Sequence, residues 1–94
     1  MPPQSIVWDP VKARINREKH GVDFQDAATI FLDPLLLVQP DLEHSQKEDR
    51  WIAIGRSMKD LLLVVIHTGN DRTIRIISAR KATPKERRGY ERFD

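Results

Sequence analysis

The sequence predicts an α+β fold, in which a small antiparallel sheet carries two N-terminal helices on one face and a C-terminal helix follows the last strand. Three observations predict it. The N-terminal third shows helical periodicity between helix-capping residues. Apolar runs separated by short polar turns come next, which favours an antiparallel meander. A helix-capping motif opens the last stretch. At 94 residues we expect one domain, residues 1–94.

The N-terminal segment is predicted to form a short strand and then a helix. The strand candidate is SIVW, at residues 5–8. For the helix, Asp9 is a good N-cap before a proline, and Gly21 suits the position that ends it. Val11 and Ile15 lie four residues apart on one face, as apolar positions of a helix do.

A second helix is predicted from an amphipathic stripe. Asp23 provides its N-cap, and the pair Asp33–Pro34 stops it. The apolar positions between them recur at helical spacing, at Phe24, Ala27, Ala28 and Phe31. We expect the two phenylalanines to lie in the core.

The strands after these helices are predicted from apolar runs bounded by turn residues. The run at 61–67 is apolar on both faces, which indicates a central strand. The strand candidates are LLLVQ at 35–39, RWIAIGR at 50–56, LLLVVIH at 61–67 and RTIRIISAR at 72–80.

The last helix is predicted from a capping box that runs from Thr83 to Glu86, with Pro84 at the first helical position. Its apolar residues are Tyr90 and Phe93 alone. A helix this polar either docks through those aromatic rings or waits for a partner.

Charge is distributed unevenly along the chain, although the net charge is only +2. Residues 23–49 contain seven acids and one base, and residues 72–92 contain eight bases and two acids. The basic C-terminal third favours a polyanionic partner, of which nucleic acid is the simplest. The alternative is that the acidic and basic surfaces match each other within the molecule.

Composition limits the class of protein. The chain has no cysteine, which excludes disulfides and thiolate chemistry. No apolar run approaches the roughly 20 residues that span a bilayer, and the first ten residues lack the apolar core of a signal peptide. We therefore expect a cytoplasmic protein that does not bind membranes. A core this small leaves little room for a deep cofactor pocket, and we expect no cofactor.

Three separated blocks of sequence resemble one family in the same order. They are VWDPVKARINREKHGVDFQDAATIFLDP, DLEHSQKEDRWIAIGRS and LLLVVIHTGNDRTIRIISARKATPKERRGYE. Over roughly residues 6–91 the chain resembles the BrnT family of bacterial toxins. The resemblance implies a compact fold like that of the RelE and ParE toxins, and a ribonuclease that inhibits translation and growth.

The resemblance also implies partners. Family members belong to type II toxin–antitoxin systems, so we expect a BrnA-like antitoxin with a ribbon-helix-helix portion that binds DNA. The pair is expected to repress its own promoter, so that operator DNA is contacted only through the antitoxin.

RNA cleavage without a metal needs a base for the ribose 2′-OH, cations around the phosphate and an acid for the departing 5′-oxygen. Arginine suits the second task, because its planar fork matches phosphate oxygens. Arg75 and Arg80 are the leading phosphate ligands. Strict alternation places them on opposite faces of the strand unless a bulge intervenes. The structural alternatives are an ion pair across the sheet for Arg75 and support of the sheet edge for Arg80.

His44, Glu48 and Arg50 form a second group of catalytic candidates. His44 or Glu48 would act as base or acid, and Arg50 would bind phosphate. The alternative is a solvated loop with a salt bridge at the start of a strand. We expect no metal site, because the acids near His44 lie in a polar connection without a second histidine.

Further cations in the C-terminal third are expected to follow the RNA backbone. Tyr90 is expected to stack on a base or donate a proton, with the anchoring of its own helix as the alternative. The RNA-binding candidates are Arg72, Lys81, Lys85, Arg87, Arg88 and Tyr90. Two other functions fit the same basic surface, namely an RNA-binding module without catalysis and a structural partner of an acidic protein segment.

Overall fold

The computed structural model describes residues 3, 5–43, 49–69 and 72–92. Its helices and strands follow the predicted order, which confirms the α+β fold. The strands are β1 (Ser5–Val7), β2 (Leu37–Pro40), β3 (Trp51–Arg56), β4 (Leu62–Gly69) and β5 (Thr73–Lys81), and the helices are α1 (Pro10–His20), α2 (Phe24–Ala28) and α3 (Pro84–Glu91). A 3₁₀ turn, Thr29–Leu32, directly follows α2.

The strands of the described residues form one sheet in the order β1-β5-β4-β3-β2. From β2 to β5 it is the predicted antiparallel meander. β1 is different, because it pairs in parallel with β5, with Ser5 opposite Thr73. Two helices separate β1 from the next strand, so no tight turn forces β1 into an antiparallel hairpin.

The core lies between α1, α2 and one face of the sheet, which we call the covered face. Phe24 and Ile30 are among the largest fully buried side chains of the helical layer, and Leu63 and Val65 face them from the central strand. The core cluster consists of Val22, Phe24, Ala27, Ile30, Phe31, Ala53, Leu63, Val65, Ile74, Ile76 and Ala79. This arrangement confirms that the two N-terminal helices share one face of the sheet.

Helix α1 is turned differently from the orientation that its apolar spacing suggests. Val11 and Ile15 do share a face, but their exposed fractions are 52% and 51%. The helix instead meets the sheet through Ala13 and the buried Asn16. The carboxamide of Asn16 binds the backbone N–H and C=O of Ala79, at 3.0 and 2.9 Å, which fixes the rotation of the helix.

The second predicted helix is α-helical only through Ala28 and then tightens into the 3₁₀ turn. The following strand begins later than predicted, at Leu37. Asp33 explains the delay, because its Oδ1 accepts a 2.9 Å hydrogen bond from the backbone N–H of Leu35. This local turn uses the residues that the apolar run assigned to a strand.

Candidate nucleic-acid interface

The second face of the sheet, which we call the open face, lies opposite the helical layer of α1 and α2. Residues paired across strands point to the same side of a sheet. Arg80 is paired with Val64, and Arg75 is paired with Thr68. Val64 and Thr68 alternate with the core residues of β4, so both arginines project from the open face.

A β-bulge brings the two arginines to this face in spite of their odd spacing. Ile66 pairs with Ser78 and His67 pairs with Ile76, so that Ile77 has no partner on β4. The extra residue reverses the alternation within β5. The sequence required such a break if both arginines were to serve one surface, and the register of β4 and β5 contains it.

Arg50 belongs to the same face. Trp51 pairs with His67 at the start of β3, and continuing that register by one residue places Arg50 beside Thr68. Thr68 in turn pairs with Arg75. Two strand spacings separate the Cα atoms of the two arginines, which is about 10 Å. Long side chains can bring both guanidinium groups to one phosphate over that distance.

Arg75 is exposed, and its guanidinium makes no ion pair or hydrogen bond with any residue that the structure describes. Its cross-strand neighbours are Thr68 on β4 and Val7 on β1, neither of which is acidic. The structural alternative of an ion pair across the sheet therefore finds no acid among the paired residues. Arg75 keeps all five N–H donors available to an anion.

Arg80 is engaged differently. Its Nη1 and Nη2 donate hydrogen bonds of 2.7 and 2.8 Å to the two carboxylate oxygens of Glu86 on α3. The hydrogen bond from Arg80 is the main reason that the pKa of Glu86 falls from 4.5 to about 2, and the same bond raises the pKa of Arg80. Arg80 therefore supports the junction of β5 and α3, which was its structural alternative, while it remains partly exposed on the open face.

Helix α3 lies over one end of the open face. Arg56 and Arg80 both project from that face, and both contact α3: Arg56 lies over the ring of Tyr90, at 5.9 Å from its centroid, and Arg80 binds Glu86. The predicted capping box is present, with Thr83 and Glu86 bonded reciprocally. The helix is thereby fixed to the strands that carry the arginines.

Tyr90 anchors this helix. The residue is only 3% exposed, and its hydroxyl donates a 2.6 Å hydrogen bond to Asp33. Burial opposes ionisation of Asp33, but hydrogen bonds from Tyr90 and from the backbone N–H groups of Arg56 and Leu35 hold its pKa below the ordinary value. A ring held in this way has no face for a base, so the structure favours the anchoring alternative for Tyr90 over stacking on RNA.

The remaining RNA-binding candidates occupy exposed positions. Arg72 precedes β5, Lys81 ends it, and three further cations lie on α3. The set consists of Arg72, Lys81, Lys85, Arg87 and Arg88. His44 and Glu48, in contrast, lie outside the described residues. Nothing in the described ranges groups three histidine or acidic side chains as a metal site requires.

Sequence reasoning missed two roles that shape this surface. The capping motif identifies Glu86 as a capping residue, but its pairing with Arg80 spans a strand–helix junction for which the sequence offers no periodic signal. Asp33 is predicted only to stop a helix, yet its carboxylate also joins the 3₁₀ turn, β3 and α3.

Among the described residues, no helix combines the length and the apolar character that crossing a membrane requires.

Comparison with known proteins agrees with this architecture. Residues 8–86 match the family model described as the ribonuclease toxin, BrnT, of type II toxin–antitoxin systems. The fold matches the 1.1 Å crystal structure of the Brucella abortus ribonuclease toxin BrnT, with a TM-score of 0.64 and 30% sequence identity, over 85% of this chain and 97% of that one. No curated protein matches the chain in sequence. Because the family model covers most of the chain, the protein belongs to the BrnT family of ribonuclease toxins of type II toxin–antitoxin systems.

Proposed function

We propose that this toxin is an endoribonuclease that cleaves RNA without a metal, by attack of the ribose 2′-OH on the adjacent phosphorus. The observation that carries the proposal is the cationic row of Arg50 and Arg75 on the open face, joined through Thr68. Two arginine forks at this separation suit a phosphate that gains negative charge during the reaction. Such preorganised charge is usually the largest contribution to catalysis.

The spacing of the arginines divides their roles. Because of the bulge at Ile77, Arg75 and Arg80 pair with residues four apart on β4, Thr68 and Val64, which separates them by about 13 Å along the sheet. At that separation, and with Arg80 held by Glu86, the two guanidinium groups are assigned to different phosphates. Arg50 and Arg75 therefore hold the phosphate that is cut, and Arg80 holds a nearby phosphate of the same RNA molecule. This assignment revises the expectation that Arg75 and Arg80 share the reacting group.

The proton transfers are assigned to the segment before β3. His44 and Glu48 precede Arg50 by six and two residues in the sequence. One takes the proton of the 2′-OH and the other protonates the departing 5′-oxygen. Because the attacking group is the 2′-OH, DNA is not a substrate.

The experiment is cleavage of a short RNA by the purified toxin in the presence of EDTA. We expect products with a 2′,3′-cyclic phosphate and a 5′-OH, and no cleavage where a 2′-deoxy residue precedes the phosphate. Arg75→Ala should lower kcat by about 10²–10³. Arg14→Ala removes an exposed cation from α1, on the other layer, and should leave kcat unchanged.

Three results would contradict the proposal. Loss of cleavage in EDTA would show that the reaction requires a metal ion. Full activity of Arg75→Ala would remove the cationic row from the reaction. Salt-sensitive RNA binding without cleavage would favour an RNA-binding module instead of an enzyme.

A type II toxin has an antitoxin partner, and we propose that a BrnA-like antitoxin with a ribbon-helix-helix portion covers the open face in the cytoplasm. The exposed cations of this face and of α3 offer an acidic segment a complementary surface. Complex formation should then abolish RNA cleavage and protect Arg75 from contact with RNA. A complex that cleaves RNA as fast as the free toxin would exclude this location for the antitoxin.

A further inference from the structure

The pair formed by Arg80 and Glu86 has a geometry that leaves part of the guanidinium unused. Glu86 occupies the end of the fork formed by Nη1 and Nη2, at 2.7 and 2.8 Å. Nη1 gives its second hydrogen to the carbonyl of Lys81, at 3.3 Å. The Nε–H and the remaining Nη2–H lie along the other edge of the plane, and no described residue accepts a hydrogen bond from them.

Glu86 is itself held rigidly. Its Oε1 also accepts a 2.8 Å hydrogen bond from the backbone N–H of Thr83, and its own backbone N–H donates to the hydroxyl of Thr83 at 3.2 Å. The helix that carries it is anchored by Tyr90 on Asp33. Because both its carboxylate and its backbone are held, Glu86 fixes the plane of the guanidinium that it binds.

Arg80 projects from the open face and is 40% exposed at its side chain. Its unused edge presents two parallel N–H groups, which is the geometry that a phosphate accepts in bidentate fashion. Without its carboxylate partner, an arginine side chain loses substantial rotamer freedom when it binds an anion. A fixed side chain has already lost that freedom before RNA arrives.

We propose that Glu86 is a positioning residue, which holds Arg80 so that its Nε/Nη2 edge receives an RNA phosphate next to the one that is cut. The inference rests on the proposed function only in taking RNA as the ligand. It concerns binding rather than the chemical step, because Arg80 lies about 13 Å along the sheet from Arg75.

The sign of the expected effect separates this role from plain electrostatics. Replacing Glu86 by glutamine removes a negative charge beside a polyanion, which on charge alone should tighten RNA binding. A carboxylate that merely blocks Arg80 predicts the same tightening. A positioning role predicts the opposite, because Arg80 loses its fixed orientation.

The test uses the whole toxin and a 2′-O-methyl RNA oligonucleotide, which binds but is not cleaved. Glu86→Gln should raise Kd by about tenfold, which is the value of one ordered hydrogen bond to a charged group. With cleavable RNA, KM should rise by a similar factor while kcat stays within about twofold. In the Arg80→Ala background, Glu86→Gln should no longer raise Kd, since the weakening acts through Arg80 and only the loss of negative charge remains.

Controls address the helix cap. The amide oxygen that Glu86→Gln introduces can still accept the hydrogen bond from the backbone N–H of Thr83, so the variant keeps that part of the capping box. Thr83→Ala removes the hydroxyl of the cap but keeps the ion pair and the bond from the backbone N–H of Thr83 to Glu86, so its Kd should rise far less than that of Glu86→Gln. A rise in Kd for Thr83→Ala equal to that for Glu86→Gln would assign the effect to the cap and overturn the inference.

Other outcomes are equally decisive. Unchanged or tighter RNA binding by Glu86→Gln overturns the positioning role, as does an equal rise in Kd in the Arg80→Ala background. Unchanged binding by Arg80→Ala overturns it as well, while cleavage through Arg75 stands. Failure of the toxin to cut RNA defeats the proposed function alone, because the Kd measurements with uncleavable RNA still decide the role of Glu86.

Discussion

The carboxamide of Asn16 binds both backbone groups of Ala79 at the edge of β5. Its Oδ1 accepts from the N–H of Ala79 at 3.0 Å, and its Nδ2 donates to the carbonyl at 2.9 Å. β1 pairs with β5 only from Thr73 to Arg75, so the strand beyond that point has no neighbour on this side among the described residues. A buried side chain thus replaces the missing strand and satisfies edge groups that would otherwise be buried without a hydrogen-bond partner.

Asn16→Ala should lower the free energy of unfolding by about 2–3 kcal/mol, because it leaves the N–H and C=O of Ala79 buried without partners. Urea unfolding monitored by circular dichroism measures the change. Glu18→Ala alters an exposed residue of the same helix and should stay within about 0.5 kcal/mol of the unaltered protein. Equal stabilities of the two variants would show that Asn16 does not secure the edge of β5.

Asn16 also shows which features of the fold the sequence could not predict. Local signals predicted the elements well, since the N-cap Asp9, the C-cap Gly21 and the capping box at Thr83 are all present as predicted. Local signals could not predict the rotation of α1. That rotation depends on a hydrogen bond between residues 63 positions apart, so the apolar pair Val11 and Ile15 faces solvent.

The candidate site was predictable in composition but not in geometry. Guanidinium groups concentrated in one basic segment pointed to Arg75 and Arg80, and alternation showed that a bulge was needed to unite them. The bulge at Ile77 is set by pairing with β4, which no local pattern of β5 encodes. The engagement of Arg80 by Glu86 likewise depends on the angle between a strand and a helix.

Tyr90→Phe should loosen α3 without unfolding the protein. The variant loses the 2.6 Å hydrogen bond to Asp33, while the backbone donors of Arg56 and Leu35 continue to satisfy that carboxylate. We expect a loss of about 1.5 kcal/mol in the free energy of unfolding. Hydrogen exchange should accelerate in α3 more than in β4. In an Asp33→Asn background the same substitution should cost less, and an undiminished cost would contradict the pairing.

Two glycines give a matched pair of predictions with opposite sign. A Cβ at Gly55 would lie 2.9 Å from Cδ1 of Leu36 and 3.0 Å from Cβ of Ile30, whereas a Cβ at Gly89 meets nothing within 4 Å. Gly55→Ala should therefore destabilise the core by about 1–3 kcal/mol. Gly89→Ala should stabilise α3 by about 0.5–1 kcal/mol. Thermal unfolding of both variants checks the two predictions. A stabilising Gly55→Ala would show that Leu36 and Ile30 move aside at little cost in free energy.

Stability should fall as the pH drops below 6.5, because of His67. Burial lowers the pKa of its imidazole below the ordinary 6.5, and this outweighs the opposite effect of the Thr68 backbone. The folded state thus binds a proton less readily than the unfolded state, so the unfolded state is increasingly favoured as the pH falls from 6.5 towards the folded pKa. Glu86, with its pKa near 2, adds a separate loss only below about 4.5.

Urea unfolding between pH 7 and pH 5 isolates the histidine effect. His67→Leu places an apolar side chain beside Phe31 and removes the titratable imidazole. The free energy of unfolding of this variant should therefore change little over this pH range. His20→Gln removes a histidine from the end of α1 and should retain the slope of the unaltered protein. A slope that survives in His67→Leu would assign the acid sensitivity to another group.

The salt dependence of RNA binding should locate the polyanion on the molecule. Lys85, Arg87 and Arg88 are exposed on α3, beside the open face, whereas Lys12 and Arg14 are exposed on α1 in the other layer. For single-stranded RNA, each phosphate neutralised contributes about 0.7 to the slope of log K against log salt concentration. Replacing the α3 trio by alanine should therefore reduce the slope by about 2 and weaken binding at low salt.

The matched control replaces Lys12, Arg14 and Lys19, which removes the same charge from the helix on the opposite side of the sheet. Fluorescence anisotropy with uncleavable RNA, measured from low to moderate salt, should return the unaltered slope for this control. Net charge is identical in the two triple variants, so a difference between them reports location rather than overall attraction. Equal slopes would place RNA on no particular face, and would remove the support that the α3 cations give to binding at the open face.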